Sequence, residues 1–175
     1  MSDQLILVDE EDNAIGHGEK MEVHEKGQLH RAFSIFVVND KNELMLQKRA
    51  LHKYHSGGLW ANTCCSHPIK GEDQEVTVKR RLMEEMGFTC EIKPLFSFIY
   101  KASLDHGLTE HEFDHVYLGH YEGSPSPNPD EVGDWRWIGI ETLKTDLVEN
   151  SDQYVYWLQV AFQQFYDEYS RISGK

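Results

Sequence analysis

The chain has 175 residues, 39% hydrophobic and 27% charged, the size and balance of one globular domain with a core of its own. Its formal net charge of −13 works against nucleic acid and anionic membrane, because phosphate groups are held mainly by Lys and Arg. "MSDQLILVDEED" offers only Leu5 to Val8 as an apolar run, where a signal peptide needs roughly 7–15 such residues and a membrane span roughly 20, so the expected setting is cytoplasmic.

Leu5 to Val8 reads as a short strand, closed by the turn-rich "DEEDNAIGHG". "HRAFSIFVVND" and "ELMLQKRA" are apolar runs separated by Asp40, Lys41 and Asn42, the pattern of a hairpin. Gly57 and Gly58 break the chain before "LWANTCC", a further strand. From Glu72 to Met86, Val76, Val78, Leu82 and Met86 recur near helical spacing, and Gly87 stands where a C-terminal cap belongs. "CEIKPLFSFIYKASL" and "EFDHVYLGHYEG" read as strands about a polar loop. "SPSPNPDE" reads as a surface loop, and "DQYVYWLQVAFQQFYDEY" as an amphipathic helix with Val155, Leu158, Phe162 and Phe165 on one face. Mixed strands with helices between them imply an α/β sandwich, a single domain over residues 1–175.

Cys64, Cys65 and Cys90 make no disulfide framework, since the count is odd and adjacent cysteines rarely satisfy the bond's geometry. No C-x-x-C pair offers a thiolate zinc site. Packing and catalysis remain for the Cys64–Cys65 pair. His24, His30, His67, Glu110 and Glu112 are capable of binding metal, and an i, i+2 pair on an extended segment turns both carboxylates to one face. Taken singly, each is an ordinary polar residue in a chain with ten histidines. Arg80 with Glu84 and Arg81 with Glu85 stand at ion-pair spacing on the helix. Lys20, Arg49 and Lys53 stand out as cations in an acidic protein, suited to a phosphate. Trp60 and Trp157 read first as core.

"SHPIKGEDQEVTVKRRLMEEMGF", residues 66–88, resembles the Nudix box, with Glu72, Arg80, Leu82, Glu84, Glu85 and Gly87 at the right spacing. Ser66 replaces the first glycine and Arg81 a metal-binding glutamate, substitutions that impair the usual polymetal hydrolysis site. Outside the box, "EKMEVHEKGQLHRAFS", "LQKRALHKYHSGGLWANTCCSHP", "FIYKA", "EHEFDHVY" and "NPDEVGDWRW" make the chain resemble type 1 isopentenyl-diphosphate isomerases nearly end to end.

That resemblance implies a Nudix-like α/β/α sandwich with a mixed sheet. It implies a 1,3-allylic proton transfer between isopentenyl and dimethylallyl diphosphate, through a tertiary carbocation. The implied metal ligands are His24, His30, His67, Glu110 and Glu112, holding Mn²⁺, Zn²⁺ or Mg²⁺, with a further Mg²⁺ held through Glu85 and the diphosphate. Cys65 and Glu112 are the implied proton-transfer groups, with Tyr100 assisting. Trp157 faces the cation, and Lys20, Arg49, Lys53 and Arg81 grip the diphosphate. Cys64 is then the packing residue, since strand alternation turns it away from Cys65 and His67. The partner is a small-molecule diphosphate, with no nucleic acid and no membrane, and the oligomeric state stays open, a monomer included. A Nudix pyrophosphatase and a noncatalytic diphosphate-binding module are the alternatives, and both leave Cys65, Tyr100 and Glu112 without a joint purpose.

Overall fold

The computed structural model describes residues 4–174; residues 1–3 and 175, which the sequence reading counts within the same domain, lie outside it. β1 (Gln4–Val8) pairs with β2 (Ala14–Glu19), which runs directly into a short helix, α1 (Lys20–Lys26). The turn-rich reading of "DEEDNAIGHG" is corrected here, since its second half is strand. Gly18 is no breaker: a Cβ on it would stand 2.6 Å from Val23 Cγ2, so its bareness lets α1 fold back onto the strand. The sequence reading did not anticipate α1. Its limits are chemical, with the Glu19 carboxylate accepting the Glu22 N–H at one end and Gly27 in the left-handed region at the other.

β3 (His30–Val38) is the axis of the sheet, and it is apolar nearly throughout because both its faces are covered. One edge pairs in parallel along its length with β8 (Thr109–His120), and β7 (Ile92–Ser103) pairs antiparallel beyond that. The expected hairpin between β3 and β4 (Glu43–Arg49) exists at its tip alone: Val38 pairs with Leu44, then β4 departs to pair with β9 (Val132–Gly139).

The segment "LWANTCC" fills this fork. It is not one strand but two, β5 (Trp60–Ala61) on the edge of β4 and β6 (Cys64–Ser66) on the edge of β3. Side chains supply the hydrogen bonds that the parted backbones lack. Thr63 Oγ1 accepts the Val37 N–H (3.0 Å) and donates to the Met45 carbonyl (2.6 Å), while Asn62 Nδ2 donates to the carbonyls of Ile35 (3.0 Å) and Cys64 (3.1 Å).

α2 (Gln74–Met86) forms where the spacing predicts, capped by the Asp73 carboxylate and closed by Gly87. Val78, Leu82 and Met86 pack on Phe33, Ile35 and Val37. On the opposite face lie α3 (Ile140–Glu149), not anticipated, and α4 (Tyr156–Ser173), which bring Leu143, Leu158, Phe162 and Phe165 against Phe36, Leu44 and Leu46. α4 begins later than expected, because Ser151–Gln153 form a separate 3-10 turn. The result is the mixed sheet between helices that the resemblance implies.

Candidate active site

Four separate elements bring five side chains together. His24 comes from α1, His30 from the start of β3, His67 from just beyond β6, and Glu110 and Glu112 from one face of β8. One ligand-capable atom from each lies within 4.8 Å of every other. His24 Nδ1–H donates to the Lys20 carbonyl (2.7 Å) and His30 Nδ1–H to the Gln28 carbonyl (2.9 Å). A carbonyl can only accept, so the proton of each neutral ring is on Nδ1 and its Nε2 presents a lone pair.

Those lone pairs face carboxylate oxygens. His24 Nε2 lies 2.8 Å from Glu110 Oε1, and His30 Nε2 lies 3.2 Å from the same oxygen and 3.4 Å from Glu112 Oε2. Acceptors at such distances require a positive charge between them, and buried His30 Nε2 makes no hydrogen bond at all. Burial works to lower the His30 pKa, yet Glu110 and Glu112 outweigh it and raise it to about 10, so at neutral pH a proton occupies Nε2 and its lone pair is free only for a metal cation that takes the proton's place. The same field draws a cation. His67, 2.9 Å from Glu112 Oε2, is pushed by burial to about 4 and stays neutral, as a ligand must. Three imidazoles, two of them with tautomers fixed by backbone carbonyls, and two carboxylates fit a divalent metal ion.

Beside this group stands Cys65. As strand alternation requires, Cys64 is wholly buried under α2 while Cys65 faces the other way. The Cys65 thiol donates to Asn62 Oδ1 (3.1 Å) and its sulfur accepts the indole N–H of Trp157 (3.1 Å). Burial, with Asp114 and Glu85 adding to it, pushes Cys65 upward, so the thiol keeps its proton at neutral pH. Tyr100 donates its hydroxyl to Glu112 Oε1 (2.5 Å). Cys65, Tyr100, Glu110, Glu112, His67 and Trp157 line a cavity of about 30 Å³, room for one or two waters.

Ser66 and His67 also line a second, polar cavity of about 230 Å³, with Lys20, Arg80, Arg81 and Glu131. Burial and the charges of Lys53, Arg49 and Arg81 lower the Lys20 pKa, so the four expected cations feel one another here. Arg81 is already engaged: its guanidinium donates to Glu84 (2.7 Å), Glu85 (2.5 Å), Glu131 (2.7 Å) and Ser66 Oγ (3.0 Å). Glu85 accepts from Arg81 and from Gln47 Nε2 (2.9 Å) and lies outside the five-residue metal group.

Residues 28–158 match the NUDIX domain family. Isopentenyl-diphosphate Delta-isomerase 2 of Aromatoleum aromaticum is 52% identical over 158 residues, which cover 90% of this chain and 84% of that one. The chain belongs to the isopentenyl-diphosphate Delta-isomerase family. Another isopentenyl-diphosphate Delta-isomerase, from Pectobacterium atrosepticum, is 44% identical over 172 residues, covering 98% of this chain and 96% of its own. In fold, this isomerase-family chain is similar to the crystal structure of DR0079 from Deinococcus radiodurans, with a TM-score of 0.76 at 19% identity over 92% of this chain and 98% of that one.

Several residues of this Delta-isomerase-family site carry no role in the sequence reading. Asp114, two positions beyond Glu112 on the same face of β8, is buried and accepts from Ser34 Oγ (2.7 Å); burial and Glu112 raise its pKa. The period of two in "EHEFD" is the signal that reaches it. Asn62 and His55 have no comparable signal, since their places depend on the fork and on the loop before β5. Among the described residues no helix is long and apolar enough to cross a membrane.

Proposed function

We propose that the chain interconverts isopentenyl and dimethylallyl diphosphate by 1,3-allylic proton transfer, with Cys65 and Glu112 as the two proton-transfer groups. The observation that carries this reading is the division of Glu112. Its Oε2 faces His67 and His30, while its Oε1 accepts the Tyr100 hydroxyl, and Glu112, Tyr100 and Cys65 all line one cavity. One carboxylate thus belongs to both the metal group and the reaction space.

A divalent ion held by His24, His30, His67, Glu110 and Glu112 supplies acidity to the Glu112 carboxyl. That matters because an unactivated alkene is a poor base. Glu112 and Cys65 act on the terminal alkene carbon and on the methylene between the tertiary carbon and the diphosphate-bearing carbon, one giving a proton and the other taking one. Tyr100 fixes the Glu112 oxygen that moves the proton. The indole face of Trp157, 4% exposed, stabilises the tertiary cation by about 2 kcal/mol or more once water is excluded. Lys20, Arg49, Lys53 and Arg81 receive the diphosphate.

The ion at the histidines is Mn²⁺, Zn²⁺ or Mg²⁺ by ligand chemistry. A further Mg²⁺ uses Glu85 with the diphosphate, which asks Arg81 to exchange part of its carboxylate contact for substrate. Because the cavity of about 30 Å³ is smaller than a five-carbon chain, substrate entry requires the loop of residues 50–58 or the Trp157 side to yield. The three unpaired thiols support a reducing, cytoplasmic setting.

The test is turnover in D₂O. Wild type should place deuterium in the newly formed methyl group, and Cys65→Ala and Glu112→Gln should each lower that rate by at least about a hundredfold while remaining folded. Retention of most of the turnover by either variant would remove that residue from the reaction.

A further inference from the structure

His55 lies in the loop between β4 and β5, where the proposed reaction gives it no task, yet it is 1% exposed and points into the site. Its Nε2 is 3.1 Å from Glu110 Oε2, the oxygen that does not face His24 and His30. The pair is within hydrogen-bond distance but out of line, so this buried nitrogen has no hydrogen bond of full geometry to any group. The ring is not a member of the group whose ligand atoms converge. Its other nitrogen, Nδ1, lies 3.0 Å from Ser56 Oγ, a hydroxyl that donates to it when the ring carries its proton on Nε2, towards Glu110.

The residue is held from behind. Arg49 Nε and Nη2 donate to the His55 carbonyl at 3.3 and 3.0 Å, and the Arg49 guanidinium lies 5.3 Å from the centre of the Trp157 ring. The His55 ring meets Trp157 edge-on at 5.8 Å. A clamped backbone and a packed ring leave Nε2 one direction to serve, that of Glu110.

We propose that His55 is a positioning residue for the metal centre: it holds the outer oxygen of Glu110, so that Oε1 alone is presented to the ion. A carboxylate with both oxygens free can rotate or bind through both, and either change alters the field felt by Glu112 on the same strand face. Outer partners of this kind typically change metal affinity ten- to a hundredfold. Through its carbonyl, His55 also links Arg49, a cation proposed to receive diphosphate, to the metal group.

This inference rests on the metal reading above, so the experiment separates the two. The full chain is stripped with a chelator, and Mn²⁺ binding is measured by calorimetry for wild type, His67→Ala, His55→Gln, His55→Phe and His55→Ala. Saturable binding by wild type that His67→Ala weakens is required for the metal reading; without it, that reading fails and this one with it. Given that binding, His55→Phe and His55→Ala should weaken it about ten- to a hundredfold, while His55→Gln, which keeps a side-chain N–H, should stay within about threefold of wild type. Unchanged affinity in His55→Phe or His55→Ala overturns the proposal, as does an equal loss in all three His55 variants, which would mark a packing role. A third contrary result is a different visible spectrum for Co²⁺-saturated His55→Gln and wild type, since that would make His55 a ligand of the ion.

Discussion

Neighbouring residues in this chain have opposite tasks, and single substitutions separate them. Cys64 packs among Val78, Leu82 and Met86, so Cys64→Ala should cost about 1 kcal/mol of stability and leave turnover near wild type. A large loss of isomerisation with unchanged thermal stability would contradict the alternation that turns Cys64 away. Arg81 carries a different lesson. The Nudix spacing identifies the position and the acidic neighbours, but not that Glu84, Glu85 and Glu131 already share its charge. Arg81→Glu would leave buried Glu85 without its counter-ion and add a carboxylate beside it, so stability should fall by about 3 kcal/mol or more, as well as substrate binding. An unchanged urea midpoint would show that these carboxylates do not depend on Arg81. The convergence of His24, His30, His67, Glu110 and Glu112 was legible because their types and the E-x-E period survive in one dimension and the family resemblance joins them. His55 and Asn62 were not, because their meaning arises only when a loop and a fork meet β8 and Cys65.

At the scale of elements, the sequence reading found α2, α4 and most strands, and missed β2, α1, β9 and α3. α2 was legible from four apolar positions and a terminal glycine. Gly87, however, answers two demands at once: its φ is 73°, and an added Cβ would stand 2.2 Å from the Ser126 carbonyl oxygen. That oxygen belongs to the proline-rich loop, whose Ser126 and Asn128 N–H groups donate to the Met86 and Glu85 carbonyls at the end of α2. Gly87→Ala should therefore cost more than the about 1 kcal/mol of a lost left-handed glycine, about 2 kcal/mol or above, read from the denaturant midpoint. A cost below 1 kcal/mol would mean that the loop is free to withdraw. β2 and α1 escaped the sequence reading because glycines in "NAIGHG" mimic a turn and a seven-residue helix holds too few turns to show a period. The hairpin between β3 and β4 was half legible. Its turn is written in Asp40–Asn42, but the departure of β4 towards β9 is a long-range choice.

Over the whole molecule, charge is unevenly spread. A chain of net charge −13 brings Lys20, Arg49, Lys53 and Arg81 close enough together that, after burial, the other three depress the Lys20 pKa. Overall charge argues against a polyanionic partner, whereas a local cluster of cations is the kind of field that draws a small diphosphate, and composition does not report it. The fork in the sheet serves the same end. By parting β3 from β4, it lets Cys65 and His67 reach the cavity that Glu110 and Glu112 also line. A Nudix hydrolase and an isomerase share this scaffold, and they differ in whether the diphosphate is cleaved or kept. The deciding measurement is therefore proton and phosphorus NMR on one sample, the metal-loaded chain incubated with isopentenyl diphosphate. Dimethylallyl diphosphate should appear with both phosphorus atoms still bound to the product, and the conversion should stop when the divalent ion is chelated. Release of phosphate or pyrophosphate with the double bond unmoved, or undiminished isomerisation in a verified metal-free sample, would contradict the account.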